Sequence, residues 1–430
     1  MLRVVGLVIF AAVLSTGSVA YAAAPDCSGY PAAYTGAGTS GDPYQVSDLA
    51  GLQCMSRSLG SYYVLTADID ASDTSTWNSG AGFEPIGTDS GTPFQGGFDG
   101  NNHVVANLRI DRPSTSYVGL FGYMSSSAKY LRNLGLVNAY VRGGYMTGGM
   151  AGILDTPSDK PVSNCFVTGS VIGGASNSEV GGFAADSRAD IVNSYVQASV
   201  VTQNYHGAGF VGQNRNVAIT DSYFSGTVTK TGGATLAAFV YKDEGTTGKI
   251  GNVFYDSDKA SGLSACNSGC SDDTITGKPT SAMQSVSTYT DLDTSGLSSA
   301  WDFVGNPNDD AATNNYWTIS DGAAPALATF LGLADQDGDG YDQMHDCDDT
   351  NASAHAVATF YIDGDDDGFG AASTTTESCG APEGYSATSD DCDDTDAGIY
   401  PHFFYLDSDS DGYGDPSSST SVCGGSSTTA

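Results

Sequence analysis

The chain has 430 residues and carries 50 Asp and Glu against 15 Lys and Arg, a net charge of −35. That length allows two or three domains. The charge argues against a nucleic-acid partner, because a phosphate backbone needs clustered Lys and Arg.

The first 22 residues open with Arg3, continue with an apolar run from Val4 to about Leu14, and end in small residues at Ala20-Tyr21-Ala22. This pattern predicts a secretory signal peptide over 1–22, cut after Ala22. Its apolar run is too short to span a bilayer comfortably, and no later stretch approaches ~18 unbroken apolar residues, so no transmembrane segment is expected in the mature chain. Export makes disulfides the expected fate of the nine cysteines. Pairing of sequence neighbours gives Cys27–Cys54, Cys266–Cys270 and Cys379–Cys392, and leaves Cys165, Cys347 and Cys423 without an obvious partner.

Residues 23–110 read as an N-terminal capping region and the first coils of a stacked body. Leu49, Leu52 and Leu59 have helical spacing within 47–59, which predicts a short capping helix. From 111 to 260 two patterns alternate. One is a glycine-apolar run: Val118-Gly-Leu-Phe-Gly122, Gly148-Gly-Met-Ala-Gly152, Val180-Gly-Gly-Phe-Ala184, Ala208-Gly-Phe-Val-Gly212 and Leu236-Ala-Ala-Phe-Val240. The other is a β-branched and aromatic run opened by Asn133, Asn164, Asn193, Asp221 or Asn252, with Asn107 as an earlier, divergent copy. The intervals are 26, 31, 29, 28 and 31 residues. Two or three short strands in each period near 30 imply a solenoid, because one coil cannot bury its apolar face alone. The fold expected is all-β, a right-handed parallel β-helix. A β-propeller is disfavoured, since a blade needs ~40 residues or more and four strands. The recurrent Asn and Asp are expected either to stack as a side-chain ladder or to cap turns independently. Residues 261–333 are expected to close the other end of the body, with Trp301, Phe303, Trp317 and Ile319 helping to cover it.

With Gly41-Asp-Pro-Tyr44, Tyr62-Tyr-Val-Leu65, Pro85-Ile-Gly87 and Phe94-Gln-Gly-Gly-Phe98 ahead of these repeats, and Met283-Gln284, Trp301, Trp317 and Asp321-Gly322 after them, residues 36–330 resemble the GLUG-repeat family of bacterial exported proteins. The resemblance implies a β-helix at the cell surface but no single activity. Such repeats accompany adhesin-like proteins and also occur beside a metallopeptidase that cleaves immunoglobulin A.

Residues 334–430 have a different composition. From 335 onward there are 20 Asp, two Glu and no Lys or Arg. One grammar recurs three times: Asp335, Asp337, Asp339 with Gly340-Tyr341; Asp363, Asp365, Asp367 with Gly368-Phe369; and Asp407, Asp409, Asp411 with Gly412-Tyr413. Alternate carboxylates followed by glycine let a tight loop wrap one ion, and the next residue (Tyr341, Phe369 or Tyr413) can add its carbonyl. A later cluster is expected to complete each site: Asp346, Asp348 and Asp349 after the first loop, and Asp391, Asp393 and Asp394 after the second. No bidentate Glu stands at the twelfth position and no flanking helices are predicted, so this is not an ordinary EF-hand. The pattern resembles thrombospondin type 3-like, metal-binding repeats of bacterial surface proteins. The third repeat reaches Cys423 and stops before its acidic cluster, as a truncated chain would. Oxygen-only ligands favour calcium, several ions in all. His345, His355 and His402 raise copper as a minor alternative, since related repeats occur in a copper-binding surface protein.

No H-E-x-x-H, G-x-S-x-G or phosphate-binding loop occurs. Asp155, Asp159, Asp186, Arg188, Asp190 and Arg215 are the residues able to project from one solenoid face as a polysaccharide-active site. Turn residues are the simpler reading for these, and a turn or surface residue for His206. The function expected is therefore a non-enzymatic, secreted or cell-surface structural, adhesin-like protein whose tail binds calcium. Cell-surface glycans or other surface proteins are its expected partners. The alternative is a secreted lyase or hydrolase acting on polysaccharide.

Overall fold

Short runs of Val, Ile, Phe and Tyr, broken by Gly and Asn, favour strands over helices. In the computed structural model they form an all-β protein with few helices. The structure describes residues 21–174, 178–244, 249–271, 273–303, 316–320, 322–330, 358–365, 367–378, 384–393, 395–397, 399–405 and 419–425. Most of the predicted signal peptide lies outside them. The chain divides into two compact units, Met1–Phe330 and Leu331–Ala430. No helix among the described residues is long and apolar enough to cross a membrane.

The first unit is a parallel β-solenoid of about six turns. Sheet 1 stacks Tyr44–Val46, Tyr62–Leu65, Gly97–Ala106, Tyr130–Gly143, Val162–Gly173, Ile191–Thr202, Ser222–Phe224, Val253–Asp256 and Ile275–Lys278. Sheet 2 stacks Phe121–Tyr123, Ala151–Leu154, Ala184–Ser187, Val211–Asn214, Val240–Asp243 and Cys266–Ser268. Sheet 3 stacks Tyr117–Val118, Met146–Gly148, Ser178–Gly181, Tyr205–Ala208 and Thr235–Ala237. The glycine-apolar runs make the corner from sheet 3 to sheet 2. Their central residues Phe183, Phe210 and Phe239 stack inside at 5.3 and 4.7 Å between ring centroids. A Cβ on Gly209 would stand 2.3 Å from the Ala238 carbonyl oxygen and 2.4 Å from the Phe224 ring. Gly209→Ala is therefore expected to destabilise the solenoid by ~1–3 kcal/mol, read as a lower urea midpoint; an unchanged midpoint would mean that the corner is loosely packed.

The recurrent Asn and Asp combine both expected roles. Asn133, Asn164, Asn193, Asp221 and Asn252 all have φ between +47° and +59°, a region Asn and Asp tolerate better than most residues. The Asn164 amide donates to Asn133 Oδ1 at 3.0 Å, Asn133 donates to Asp99 at 2.9 Å, and Asn252 donates to Asp221. Asn107 is not an early member of this ladder. It pairs with Asn138 at 2.9 Å and Asp70 at 3.2 Å in a second ladder, and Asp99 holds the place assigned to it.

The short helix expected within 47–59 forms over Leu49–Cys54, with Leu59 beyond it. Helix Leu49–Cys54 starts at Asp48, whose carboxylate accepts the Gly51 N–H at 2.7 Å. Leu52 is buried, and Cys54 is bridged to Cys27. The other end differs from expectation. Phe166, Tyr195, Tyr223 and Phe254 share one register row in sheet 1. They alternate with interior residues such as Cys165 and Val196, so they point out of the coil. Trp317 packs on Tyr195 and Tyr223, Trp301 on Phe254, and Phe330 on Phe166. Trp301 and Trp317 thus cover a side wall rather than an open end, because an outward aromatic row needs its own shield from water.

In the second unit, Ala358–Ile362 pairs antiparallel with Ala371–Ser378 and Tyr385–Ser386, and Ile399–Tyr405 pairs antiparallel with Ser419–Gly425. Of the expected disulfides, Cys27–Cys54 and Cys266–Cys270 form. Cys379–Cys392 is replaced by Cys392–Cys423, closed at a Cα–Cα distance of 5.6 Å across 31 residues; distance in space, not along the chain, decides the pairing. Cys347 and Cys379 lie outside the described residues. Cys165 is a buried free thiol whose pKa burial pushes up to about 12.

Candidate metal centre and a charged solenoid face

The second Asp-Gly loop starts where strand Ala358–Ile362 ends. Asp363 curls it back, accepting the N–H of Asp367 at 3.1 Å and of Gly368 at 3.0 Å. Gly368, at φ +94°, makes the turn that a side chain would resist. Asp367 accepts the Phe369 N–H at 2.9 Å. One oxygen from each of Asp363, Asp365 and Asp367 then lies within 4.8 Å of the others. The later acidic segment is drawn to the loop through its backbone: Gly370 donates to Thr388 at 3.0 Å, and Asp391 donates to Gly370 at 3.1 Å.

Both oxygens of Asp365, Oδ2 of Asp367 and Oδ2 of Asp391 are shielded from solvent and lack a well-formed hydrogen bond, the Asp367 N–H giving Asp365 only a weak one. Loss of water contact raises the Asp365 pKa above the ordinary aspartate range, and the carboxylates of Asp367, Asp391 and Asp363 raise it further. Shielded anionic oxygens without partners are costly. A set made only of carboxylate oxygens fits a hard divalent cation. Cys392 offers no thiolate because it is bridged.

Of the ligands expected in this repeat, Asp363, Asp365 and Asp367 come together and Asp391 adjoins them. Asp393 Oδ1 accepts from Thr395, backbone at 3.3 Å and hydroxyl at 2.6 Å, in a local turn. Asp394 lies outside the described residues. So do Asp335, Asp337, Asp339, Tyr341, Asp346, Asp348 and Asp349 of the first repeat, and Asp407, Asp409, Asp411 and Tyr413 of the third.

The solenoid gathers three of the six residues considered for catalysis into one ion-pair network, with Asp155 within electrostatic reach of two of them. Buried Asp186 accepts from Arg188 at 3.1 Å and from two Arg215 nitrogens at 3.0 and 2.9 Å. Arg215 also donates to Glu244 at 2.7 Å, and Glu244 accepts from Lys242 at 2.9 Å and Gln213 at 2.7 Å. Register explains the grouping, since Asp186, Gln213 and Lys242 stack on successive coils of sheet 2. Asp159 is exposed beside Lys160, and Asp190 accepts the Ala218 N–H at 2.7 Å. Burial raises the Asp155 carboxyl pKa. Both Asp186 oxygens are held by guanidinium groups, which suits a brace between coils.

Of the two readings of His206, turn or surface residue, the first does not hold: His206 lies in strand Tyr205–Ala208, partly exposed. Its Nδ1 lies 3.8 Å from Glu179 Oε1, and its ring stacks on Tyr241 at 3.8 Å. Burial lowers the His206 pKa and raises that of Glu179. Sequence reading passed over Glu179 and Glu244; the only signal for them was an interval of about one coil to His206 and Arg215.

No family model matches the chain, so the GLUG and thrombospondin-type resemblances rest on their motifs alone. The chain is 41% identical over 184 residues to halomucin of Haloquadratum walsbyi, a match covering 41% of this chain and spanning only 2% of halomucin's length. Among solved structures it is similar to a Bacteroides ovatus protein provisionally named an immunoglobulin A1 protease, with a TM-score of 0.41 and 18% identity over 68% of this chain and 94% of that one. That likeness carries no argument about activity.

Proposed function

We propose that this protein is an exported surface structural protein whose Asp-rich tail is organised by calcium. The observation that carries the reading is the set of converging, shielded oxygens on Asp365, Asp367 and Asp391, short of protein donors and closed by the Asp363 turn. These four residues would hold the ion, which supplies the positive charge that the loop lacks. Asp363 shapes the loop through backbone N–H groups, and the Gly370–Asp391 pairing brings the second acidic segment to it. The predicted signal peptide, the two motif resemblances and the likeness to halomucin support a surface location. A solenoid braced by ion pairs and aromatic stacks suits a load-bearing role. The proposal assigns no catalytic step, and the ion pairing of Asp186 gives a polysaccharide-active site less support.

Calorimetric titration of the chelator-treated full chain tests this. Calcium should bind with Kd on the order of 10⁻⁴–10⁻³ M, as in extracellular modules, and more tightly than magnesium. No heat of binding at several times that concentration would defeat the reading.

A further inference from the structure

A groove of about 660 Å³ crosses the outer face of sheet 1 near its N-terminal end, lined by Tyr62, Lys129, Tyr130, Arg132 and the turn that carries Pro157 and Lys160. Tyr62 and Tyr130 stand on either side of Gly97 in register, with ring centroids 5.9 Å apart and planes inclined at 53°. Glycine is what lets them close over that strand: a Cβ on Gly97 would lie 2.6 Å from Tyr130 Cζ and 2.8 Å from Tyr62 Cδ1. Arg132 lies over the Tyr130 ring at 4.7 Å and is tied to Asp99 at 2.8 Å, so one face of that ring is already held. Lys129 and Lys160 are exposed beside them. Lys129 has no acidic partner among the described residues, and Lys160 reaches only Asp159, at 3.8 Å between largely exposed side chains, a contact worth little.

Three of the chain's 15 basic residues thus meet at one groove of a protein whose net charge is −35, with Asp159 also in the lining beside Lys160 and Asp99 paired to Arg132, so the two lysines carry its free positive charge. Tilted aromatic faces suit the apolar C–H face of a sugar ring, and two uncommitted ammonium groups beside them suit its anionic substituent. We propose that this groove binds an anionic oligosaccharide, its ring on Tyr62 and Tyr130 and its carboxylate or sulfate on Lys129 and Lys160. Nucleic acid fits less well, because three cations match few of the closely spaced phosphates. The inference names a partner class for a surface protein and does not depend on calcium.

The test is binding of the full chain to defined oligosaccharides in a chelator, so that calcium cannot bridge acidic tail and acidic sugar. Physiological salt confines the repulsion of the acidic chain to about 8 Å. Oligogalacturonate and a sulfated oligosaccharide form the two anionic arms and separate carboxylate from sulfate recognition. Neutral cello-oligosaccharide, polyglutamate and an oligothymidylate are the comparisons. At least one anionic sugar should bind, and Lys129→Glu with Lys160→Glu should weaken it at least about tenfold without moving the melting temperature, since both side chains are exposed. Tyr130→Ala should weaken it as well. Absence of binding by both anionic sugars, equal affinity for any comparison ligand, or indifference to the lysine reversals would overturn the proposal. Failure here leaves the calcium reading standing, because calcium is absent from the assay.

Discussion

Asp365→Asn should weaken the calcium response of the 363–391 segment at least about tenfold while leaving the solenoid unchanged. Asp365 has two shielded oxygens that lack a well-formed hydrogen bond, and it sits among the carboxylates of Asp367, Asp391 and Asp363. The substitution keeps the shape and removes one ligand charge, and calcium affinity is tuned by ligand charge count. In hydrogen exchange of the full chain, calcium should protect backbone amides at 363–370 and 388–391 of the wild type. The variant should need at least about tenfold more calcium for the same protection, the scale expected when a metal site loses a supporting group. Without calcium the sign reverses. Asn relieves carboxylate repulsion, so the variant's loop should exchange more slowly than the wild type's. Acid should act as Asn does: the folded-state pKa of Asp365 is raised, so its stabilising neutral form is present at low pH and lost as pH rises through that pKa. Asp393→Asn is the control, since Asp393 serves a local turn. Equal calcium protection in wild type and Asp365→Asn would remove the loop from the binding site.

Trp317→Ala should be the most damaging single change in the solenoid. The ring is fully buried, lies 4.7 Å from Trp301 and about 6 Å from Tyr195 and Tyr223, and its Nε1 donates to Asn193 Oδ1 at 3.3 Å. Truncation opens a cavity over three aromatic neighbours and leaves a ladder amide short of a donor. Such changes cost ~3–5 kcal/mol, read as a lower urea midpoint. Trp317→Phe keeps most of the packing and should cost less. A change below ~1 kcal/mol for Trp317→Ala would mean that the covering segment is dispensable, contrary to the burial it provides.

Much of the solenoid was legible in the sequence because its signals are periodic. Each coil repeats one corner glycine pattern and one left-handed Asn or Asp, and both recur near 30 residues. Asn107 stands 26 residues before Asn133, against 28–31 between the later copies, but the true first member, Asp99, stands 34 residues before it, so spacing alone did not point to it. The aromatic row Phe166, Tyr195, Tyr223 and Phe254 was readable as recurrent, but no periodic signal tells which later segment settles on it. Asp186, Arg188 and Arg215 of the charged face were named from the sequence, but Glu179 and Glu244 escaped for a related reason: they are isolated in sequence, and only register sets them beside His206 and Arg215. The carboxylate loop was visible in its alternate Asp residues and closing glycine. The contribution of Asp391 depends on a backbone pairing with Gly370 that no motif encodes, and the Cys392–Cys423 bridge depends on a proximity that sequence distance misrepresents.

The central claim is that carboxylate oxygens of the tail converge on a divalent cation. Anomalous scattering from a crystal of the full chain grown in calcium tests it most directly. A peak within ~2.3–2.6 Å of oxygens from Asp365, Asp367 and Asp391, with Asp363 closing the loop, is the predicted result. Absence of a peak there, with Asp365 turned out to water in the presence of calcium, would contradict it.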